Sequence, residues 1–296
     1  MIMADRYCNF HGEDVPGSPA EEAFFHVIPV PLERSVSYGE GTAKGPAALL
    51  EASAQLETLA LGVVPSEHGI YTAAPVDCGG PVEEVLQGIK ARVAHALSVG
   101  AVPVVLGGEH TVTCGAVDAL VEHGGDFGVI QFDAHADLRD QYEGSRFSHA
   151  CVMRRICEQN VAIYQLGTRS YSVEEKEYRT SRQIAYKDSE TLWRDGGRLD
   201  LPQDFPERVY ITFDLDAFDS SLLPATGTPV PGGLNWFQAM QLIEEIMRRR
   251  VCIGFDVVEL APMAGVHAPT FTAAQLTYNM MACLVKSELN RGHYFG

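Results

Sequence analysis

Six short apolar runs do most to decide what this chain can fold into. They are Phe24 to Val30 (FFHVIPV), Ala101 to Leu106 (AVPVVL), Phe127 to Phe132 (FGVIQF), Val161 to Leu166, Arg208 to Phe213 (RVYITF) and Val251 to Val258. Runs this continuous suit strands buried on both faces, which is the habit of parallel sheets. Between them lie stretches with helical spacing: Pro46 to Leu61, Val82 to Val99, Thr111 to Glu122, His149 to Glu158, Trp236 to Arg249 and Phe271 to Leu289. Pro46 suits a first helical turn, where its missing N–H is not needed. Strands alternating with helices predict an α/β domain of three layers, α/β/α, around a mostly parallel central sheet. No Gly/Ser/Pro-rich linker interrupts the pattern, so residues 1–296 read as one domain with 1–23 as an N-terminal extension.

Charge narrows the partners. Against 22 Lys and Arg stand 39 Asp and Glu, a formal charge of −17. Such a surface repels phosphate backbones and anionic lipid, and it attracts a small cationic substrate. The longest apolar runs reach only about ten residues, too few to cross a bilayer. Met1 to Gly17 carries Asp5, Arg6, His11, Glu13 and Asp14, with no apolar core of a secretory signal. The seven cysteines are scattered and form no CxxC pair, as expected of reduced thiols in a cytoplasmic protein.

Polar residues gather where the apolar runs stop. FGVIQF is followed by Asp133-Ala134-His135-Ala136-Asp137, and alternate side chains of an extended chain share a face. RVYITF is followed by Asp214-Leu215-Asp216, with Asp219 beyond. AVPVVL leads into Gly107-Gly108-Glu109-His110, where glycines permit close backbone approach. Carboxylates crowded at one strand edge repel one another unless cations join them. Mostly oxygen ligands with a minority of imidazole favour Mn²⁺ over Zn²⁺ or Cu²⁺. The carboxyl edge of an α/β sheet is also where ligands bind. The metal candidates are therefore His110, Asp133, His135, Asp137, Asp214 and Asp216. Alone, DxHxD could be a capped turn, DxD a surface feature and GGxH a simple turn; three together at strand ends argue for a metal centre.

The segments GGEHTVT (Gly107–Thr113), FDAHADLRD (Phe132–Asp140), SHACVMRRI (Ser148–Ile156), TFDLDAFD (Thr212–Asp219), ATGTPVPGG (Ala225–Gly233) and GFDVVELAP (Gly254–Pro262) resemble the ureohydrolases, the arginases and agmatinases. Ile28–Ser53 is also similar, so the resemblance runs from about Phe25 to Lys286. It implies the arginase-like fold, a binuclear Mn²⁺ centre with two ions per subunit, and a homo-oligomer, trimer or hexamer. It further implies that Asp133 and Asp214 bridge the ions and that His135 serves the second. Asp137 would bind metal and orient the attacking water, His149 would relay protons, and Glu259 would orient the guanidinium. Glu109 and Thr111 depart from the commoner GGDHS, and Ser220 stands where proline often follows; no ligand is lost.

Those roles describe hydrolysis of a guanidine to urea and an amine, since paired cations make water a nucleophile near neutral pH. Arg139 stands where arginases carry an asparagine that reads a carboxylate, and SHACVMRR is closer to agmatinases. Agmatine, giving putrescine and urea, is the expected substrate, with Asp140 or Glu143 facing its distal ammonium. Arg139 turned inward would favour 4-guanidinobutyrate instead. Other classes weigh less: an inactive assembly subunit would have lost ligands, and a dinuclear phosphoesterase would need more cationic clamps than Arg139.

Overall fold

The computed structural model describes residues 8–292. Residues 1–7 of the expected N-terminal extension lie outside them, and so do 293–296. Among the described residues eight strands form one sheet: β1 (Phe25–Val30), β2 (Ile70–Thr72), β3 (Val102–Gly107), β4 (Gly128–Phe132), β5 (Ala162–Leu166), β6 (Ala185–Lys187), β7 (Arg208–Asp214) and β8 (Val251–Val258). Their order is β2-β1-β3-β8-β7-β4-β5-β6, and every neighbouring pair is parallel. The helices are α1 (Gly45–Ser53), α2 (Val82–Ser98), α3 (Val112–His123), α4 (Val152–Glu158), α5 (Val173–Ser181), α6 (Ser189–Arg194), α7 (Trp236–Arg249) and α8 (Ala268–Asn290).

Two hydrophobic cores lie on opposite faces of the sheet. One joins Leu49 and Leu50 of α1, Ile243 and Ile246 of α7, and Leu276 and Met280 of α8 to Phe132, Phe213 and Val257. The other joins Ile89 of α2, Val117 of α3 and Ile156 of α4 to Ile28, Val105 and Val129. Strands so covered have no wet face, which is why their sequences run apolar without alternation. The three layers are those expected.

Individual helices follow from local chemistry. In α7, Asn235 accepts from Gln238 N while the Gln238 side chain returns to Asn235 N; Arg248 and Arg249 meet the negative end of the dipole. Its buried residues Ala239, Leu242, Ile243 and Ile246 fall on one stripe. The helix expected over Pro46–Leu61 is shorter and ends at Ser53. There Ser53 Oγ donates to Leu50 O at 2.7 Å and accepts from His11 N at 3.0 Å. Beyond it, Ala60 and Val63 close a tight turn through Leu61 (φ 49°) and Gly62 (φ 86°), which no right-handed helix can contain. His149 itself lies in a single 3₁₀ turn, His149–Cys151, that leads into α4. Among the described residues no helix is long and apolar enough to cross a membrane.

Candidate metal centre

The strands β3, β8, β7 and β4 are consecutive neighbours at the middle of the sheet, and all four carry site residues at their carboxyl ends. Leu106, Val257, Phe213 and Phe132 stand in one register row across them. Asp133 and Asp214 each lie one residue past that row, above Phe132 and Phe213, whose rings stack with centroids 5.0 Å apart. Gly108 explains the closeness of the β3 turn: a Cβ there would stand 2.0 Å from Leu32 O. Through that approach Gly108 N reaches Val30 O and Glu109 N reaches Leu32 O, both at 2.8 Å.

His110 Nδ1 lies 3.2 Å from Asp133 Oδ2, 3.0 Å from Asp137 Oδ2 and 3.5 Å from Asp214 Oδ2. His135 Nδ1 lies 2.9 Å from Asp216 Oδ2 and 3.5 Å from Asp133 Oδ1. Two ligand sets result, His110–Asp133–Asp137 and Asp133–His135–Asp216, each with atoms within 4.8 Å of one another. Asp133 belongs to both. The three residues of DxHxD thus serve two foci, because the chain leaves the strand and Asp137 turns into left-handed backbone (φ 53°). Glu259 is also left-handed (φ 67°), and such strain in non-glycine residues concentrates at functional sites.

A buried atom tests whether a cation fits. His110 Nε2 is 2.8 Å from Thr212 Oγ1, and that hydroxyl donates to Asp256 Oδ1 at 2.6 Å. Thr212 therefore accepts from Nε2–H, which leaves Nδ1 toward the carboxylates. Nδ1 is buried and makes no hydrogen bond with any of them. An imidazole nitrogen set among three carboxylate oxygens, its proton one that a cation would displace, fits a metal ion between them. Asp256 in turn accepts from Thr113 Oγ1 and Tyr210 Oη, both at 2.9 Å, so the support is closed.

The carboxylates are oriented by neighbours as well. Gln131 Nε2 donates to Asp133 Oδ2 at 2.7 Å, Ala134 N to Asp216 Oδ1 at 2.9 Å, and Asp216 N to Asp214 Oδ1 at 2.8 Å. Glu259 Oε1 accepts from His110 N at 2.6 Å. Charge is in excess here. Burial, then the Asp133 charge, pushes Asp137 up to about 7. Burial chiefly, with Glu109 and Asp216 adding to it, pushes Glu259 up to about 8. Burial and the neighbouring Asp216 and Asp133 hold Asp214 well above the carboxylate range. Burial opposes a proton on His110, yet Asp133, Asp137 and Asp214 outweigh it and hold the imidazole well above its ordinary value. Protons held this way are what a divalent cation displaces.

Above the carboxylates lies a small chamber of about 20 Å³ between His110, His135, Asp137, His149, Asp214 and Glu259, room for about one water. An adjoining chamber of about 300 Å³ shares Ser37, His135, Asp137, His149 and Thr228 as walls and extends to Arg139, Tyr142, Tyr171 and Glu175. A larger groove of about 480 Å³ between α7 and α8 holds none of the site residues.

His149 sits between the two chambers, with Nε2 2.8 Å from Ser37 Oγ. Burial lowers its pKa, so the ring is neutral near pH 7. Arg139 lines the outer chamber, Nε 3.9 Å from Glu175 Oε2. Asp140 and Glu143, expected at the substrate's far end, do not line either chamber. Asp140 accepts from Arg155 Nη2 at 2.7 Å, and Glu143 is an exposed left-handed residue in the Tyr142–Ser145 turn. The acid that does face the chamber is Glu175, buried, its oxygens accepting from Leu138 N, Ser172 N and Ser172 Oγ. Sequence reasoning missed it, although Ser172 and Glu175 spell a capping box. Thr212 and Asp256 were missed too; each is a polar residue inside an otherwise apolar strand, which calls for a buried partner.

Four aspartates and two histidines at the carboxyl edge of a parallel sheet, beside a ligand-sized cleft, have the donor set of a metal-dependent enzyme of the α/β class. Residues 23–283 match the arginase family. The chain is 39% identical over 266 residues to an N(1)-aminopropylagmatine ureohydrolase of Thermus thermophilus, covering 88% of this chain and 90% of that one. It is 32% identical to the agmatinase of Pyrococcus horikoshii, over 90% of this chain and 93% of the relative. In structure it is similar to the agmatine ureohydrolase of Thermoplasma volcanium, with a TM-score of 0.83, 29% identity, and 93% and 94% of the two chains covered. The chain belongs to the arginase family of ureohydrolases, hydrolases of C–N bonds.

Proposed function

We propose that the chain hydrolyses a guanidino amine of the agmatine class, releasing urea and a polyamine, with two Mn²⁺ ions held by His110, Asp133, His135, Asp137, Asp214 and Asp216. The observation that carries this is the sharing of Asp133 between two ligand sets beneath one cleft. Two dications held by these residues would supply the Lewis acidity that activates a water near neutral pH.

The chain's own groups do the rest. Glu259, held by His110 N, offers carboxylate charge to the guanidinium. Asp137 faces the small chamber and orients the attacking water. His149 takes a proton on the chamber side and passes it to the leaving amine. The buried Glu175 carboxylate gives the distal ammonium a partner, in the place expected of Asp140 or Glu143. Arg139 lies on this chamber too, 3.9 Å from Glu175, so the chamber carries one charge of each sign, and a carboxylate on the substrate would call on Arg139 as an ammonium calls on Glu175.

A second reading is favoured by the outer chamber itself. Its volume of about 300 Å³ has room for a longer tail, and the Thermus relative is named for N(1)-aminopropylagmatine. Free cysteines throughout support a reducing cytoplasm, and a homo-oligomer remains part of the proposal. Urea release, measured as kcat/KM at fixed Mn²⁺ for agmatine, N(1)-aminopropylagmatine, arginine and 4-guanidinobutyrate, decides among these. Either amine should exceed arginine by about a hundredfold, the scale set by leaving a carboxylate without its partner. Arginine equal to the amines sinks the proposal, and 4-guanidinobutyrate on top assigns Arg139 the substrate's carboxylate.

A further inference from the structure

Glu109 is one of the two departures from the GGDHS pattern, and it is fully buried beside the metal residues without facing the carboxylate cage. It accepts hydrogen bonds from Arg34 N at 2.5 Å, Ser35 N at 2.7 Å, Ser35 Oγ at 2.9 Å and Thr111 Oγ1 at 2.6 Å. Both oxygens are thereby filled, and the loop after β1 is tied to the end of β3. Ser35 continues the chain. Its hydroxyl proton goes to Glu109 Oε1, so toward every other neighbour Ser35 Oγ is an acceptor. Those neighbours are His149 N at 3.0 Å and His149 Nδ1 at 3.1 Å. In the shorter of its two contacts, that with Ser35, Nδ1 is then the donor. Ser148 Oγ is the more distant neighbour of the same nitrogen, at 3.3 Å. The other nitrogen, Nε2, meets only the exposed Ser37 hydroxyl and opens on the cleft.

We infer that Glu109 and Ser35 are positioning residues that fix His149 as its Nδ1–H tautomer, leaving Nε2 unprotonated toward the cleft. The inference rests on the reading of His149 as the proton relay. Only an unprotonated nitrogen on that side can accept a proton there and return it to a leaving amine, and the Nδ1–H···Oγ–H···carboxylate chain steadies the imidazolium between the two transfers. The extra methylene of glutamate over aspartate is what carries the carboxylate to Ser35.

Glu109→Gln reverses the chain without dismantling the loop. The amide oxygen stays where Arg34 N and Ser35 N donate, which puts the NH₂ toward Ser35 Oγ. Ser35 then has no acceptor for its proton except His149 Nδ1, and the ring tautomer inverts. ¹⁵N shifts of the His149 ring, assigned by their loss in His149→Ala and read on enzyme loaded with diamagnetic Zn²⁺, should show Nδ1–H in the wild type and Nε2–H in Glu109→Gln. With Mn²⁺, kcat should fall by at least about tenfold, part of the 10²–10⁴-fold a general acid–base group supplies, with KM and metal content held. In a His149→Ala background the same substitution should change nothing. Should Glu109→Gln not fold, Ser35→Ala breaks the same chain and Ser35→Thr restores it. An Nε2–H ring in the wild type, or an equal loss in the His149→Ala background, overturns the inference. Because the NMR measurement needs no turnover, a failure of the ureohydrolase reading would not be mistaken for a failure of this one.

Discussion

His110 Nε2 rests 2.8 Å from Thr212 Oγ1, and this contact, 102 residues apart in sequence, decides which ring nitrogen faces the aspartates. Thr212→Val keeps the shape of the side chain and removes the acceptor. Partners behind a metal-binding histidine contribute about 10–100-fold in affinity. Calorimetric titration with Mn²⁺ should show a loss in that range with the fold intact, and unchanged affinity would refute the orienting role.

Asp133 should be the most costly carboxylate to neutralise. It belongs to both ligand sets, so Asp133→Asn weakens both together. Metal analysis should return fewer than two ions per chain with turnover nearly gone. Asp214→Asn should also lower metal content, since Asp214 stands 3.5 Å from His110 Nδ1. Full metal content at near-normal rate in Asp133→Asn contradicts the sharing.

The metal-free protein should lose stability as pH rises. Asp137 goes from an ordinary 3.8 up to about 7, and Glu259 from 4.5 up to about 8, both chiefly through burial. A carboxyl raised by folding binds its proton more tightly when folded, so its stabilisation is whole below the unfolded value and disappears as pH climbs through the folded one. Thermal melting of the apoprotein should therefore fall between about pH 4 and pH 8, and added Mn²⁺ should restore it most at the upper end. Metal binding should release protons near pH 7, seen as binding heats that depend on the buffer's ionisation enthalpy. A melting temperature that rises through this window sinks the assignment.

His149→Ala should lower kcat by about 10²–10⁴-fold while metal content stays intact. Its ring nitrogens meet Ser35, Ser37 and Ser148, its ring packs against Tyr142, and it makes no hydrogen bond to a metal candidate, so no ligand is withdrawn. Lost metal in this variant would make it a ligand instead of a relay.

That the six metal candidates come together was legible because each lies at the end of an apolar strand or within five residues past it, and strands β7 and β8 declare their limits by composition. What stayed hidden has physical reasons. The strands β2 and β6 are three-residue edge strands, with too little apolar length to stand out. The helix α5, VEEKEYRTS, is polar almost throughout and is held by its Ser172–Glu175 cap and by tertiary contacts. Asp140 and Glu143 were placed at the substrate by nearness in sequence to DxHxD. The turn at Tyr142–Ser145 carries them outward, while Glu175, far beyond Asp133 in sequence, comes back to the cleft through β5 and the loop after it. Ser35 and Ser37 carried no signal of their own, since a serine in a glycine-bounded loop reads as solvated.

The strand β8 is the last of the eight in chain order, yet it lies between β3 and β7 at the sheet's centre. While the chain emerges from the ribosome, those two strands must wait with facing edges unpaired until residues 251–258 are made. Pairing partners so distant in sequence close slowly, and the waiting edges are exposed to other nascent chains. The same insertion delivers Glu259 beside His110. A chain cut short before this strand holds every aspartate and histidine of the cage but lacks the strand that sets β3, and with it His110, beside β7 and Asp214.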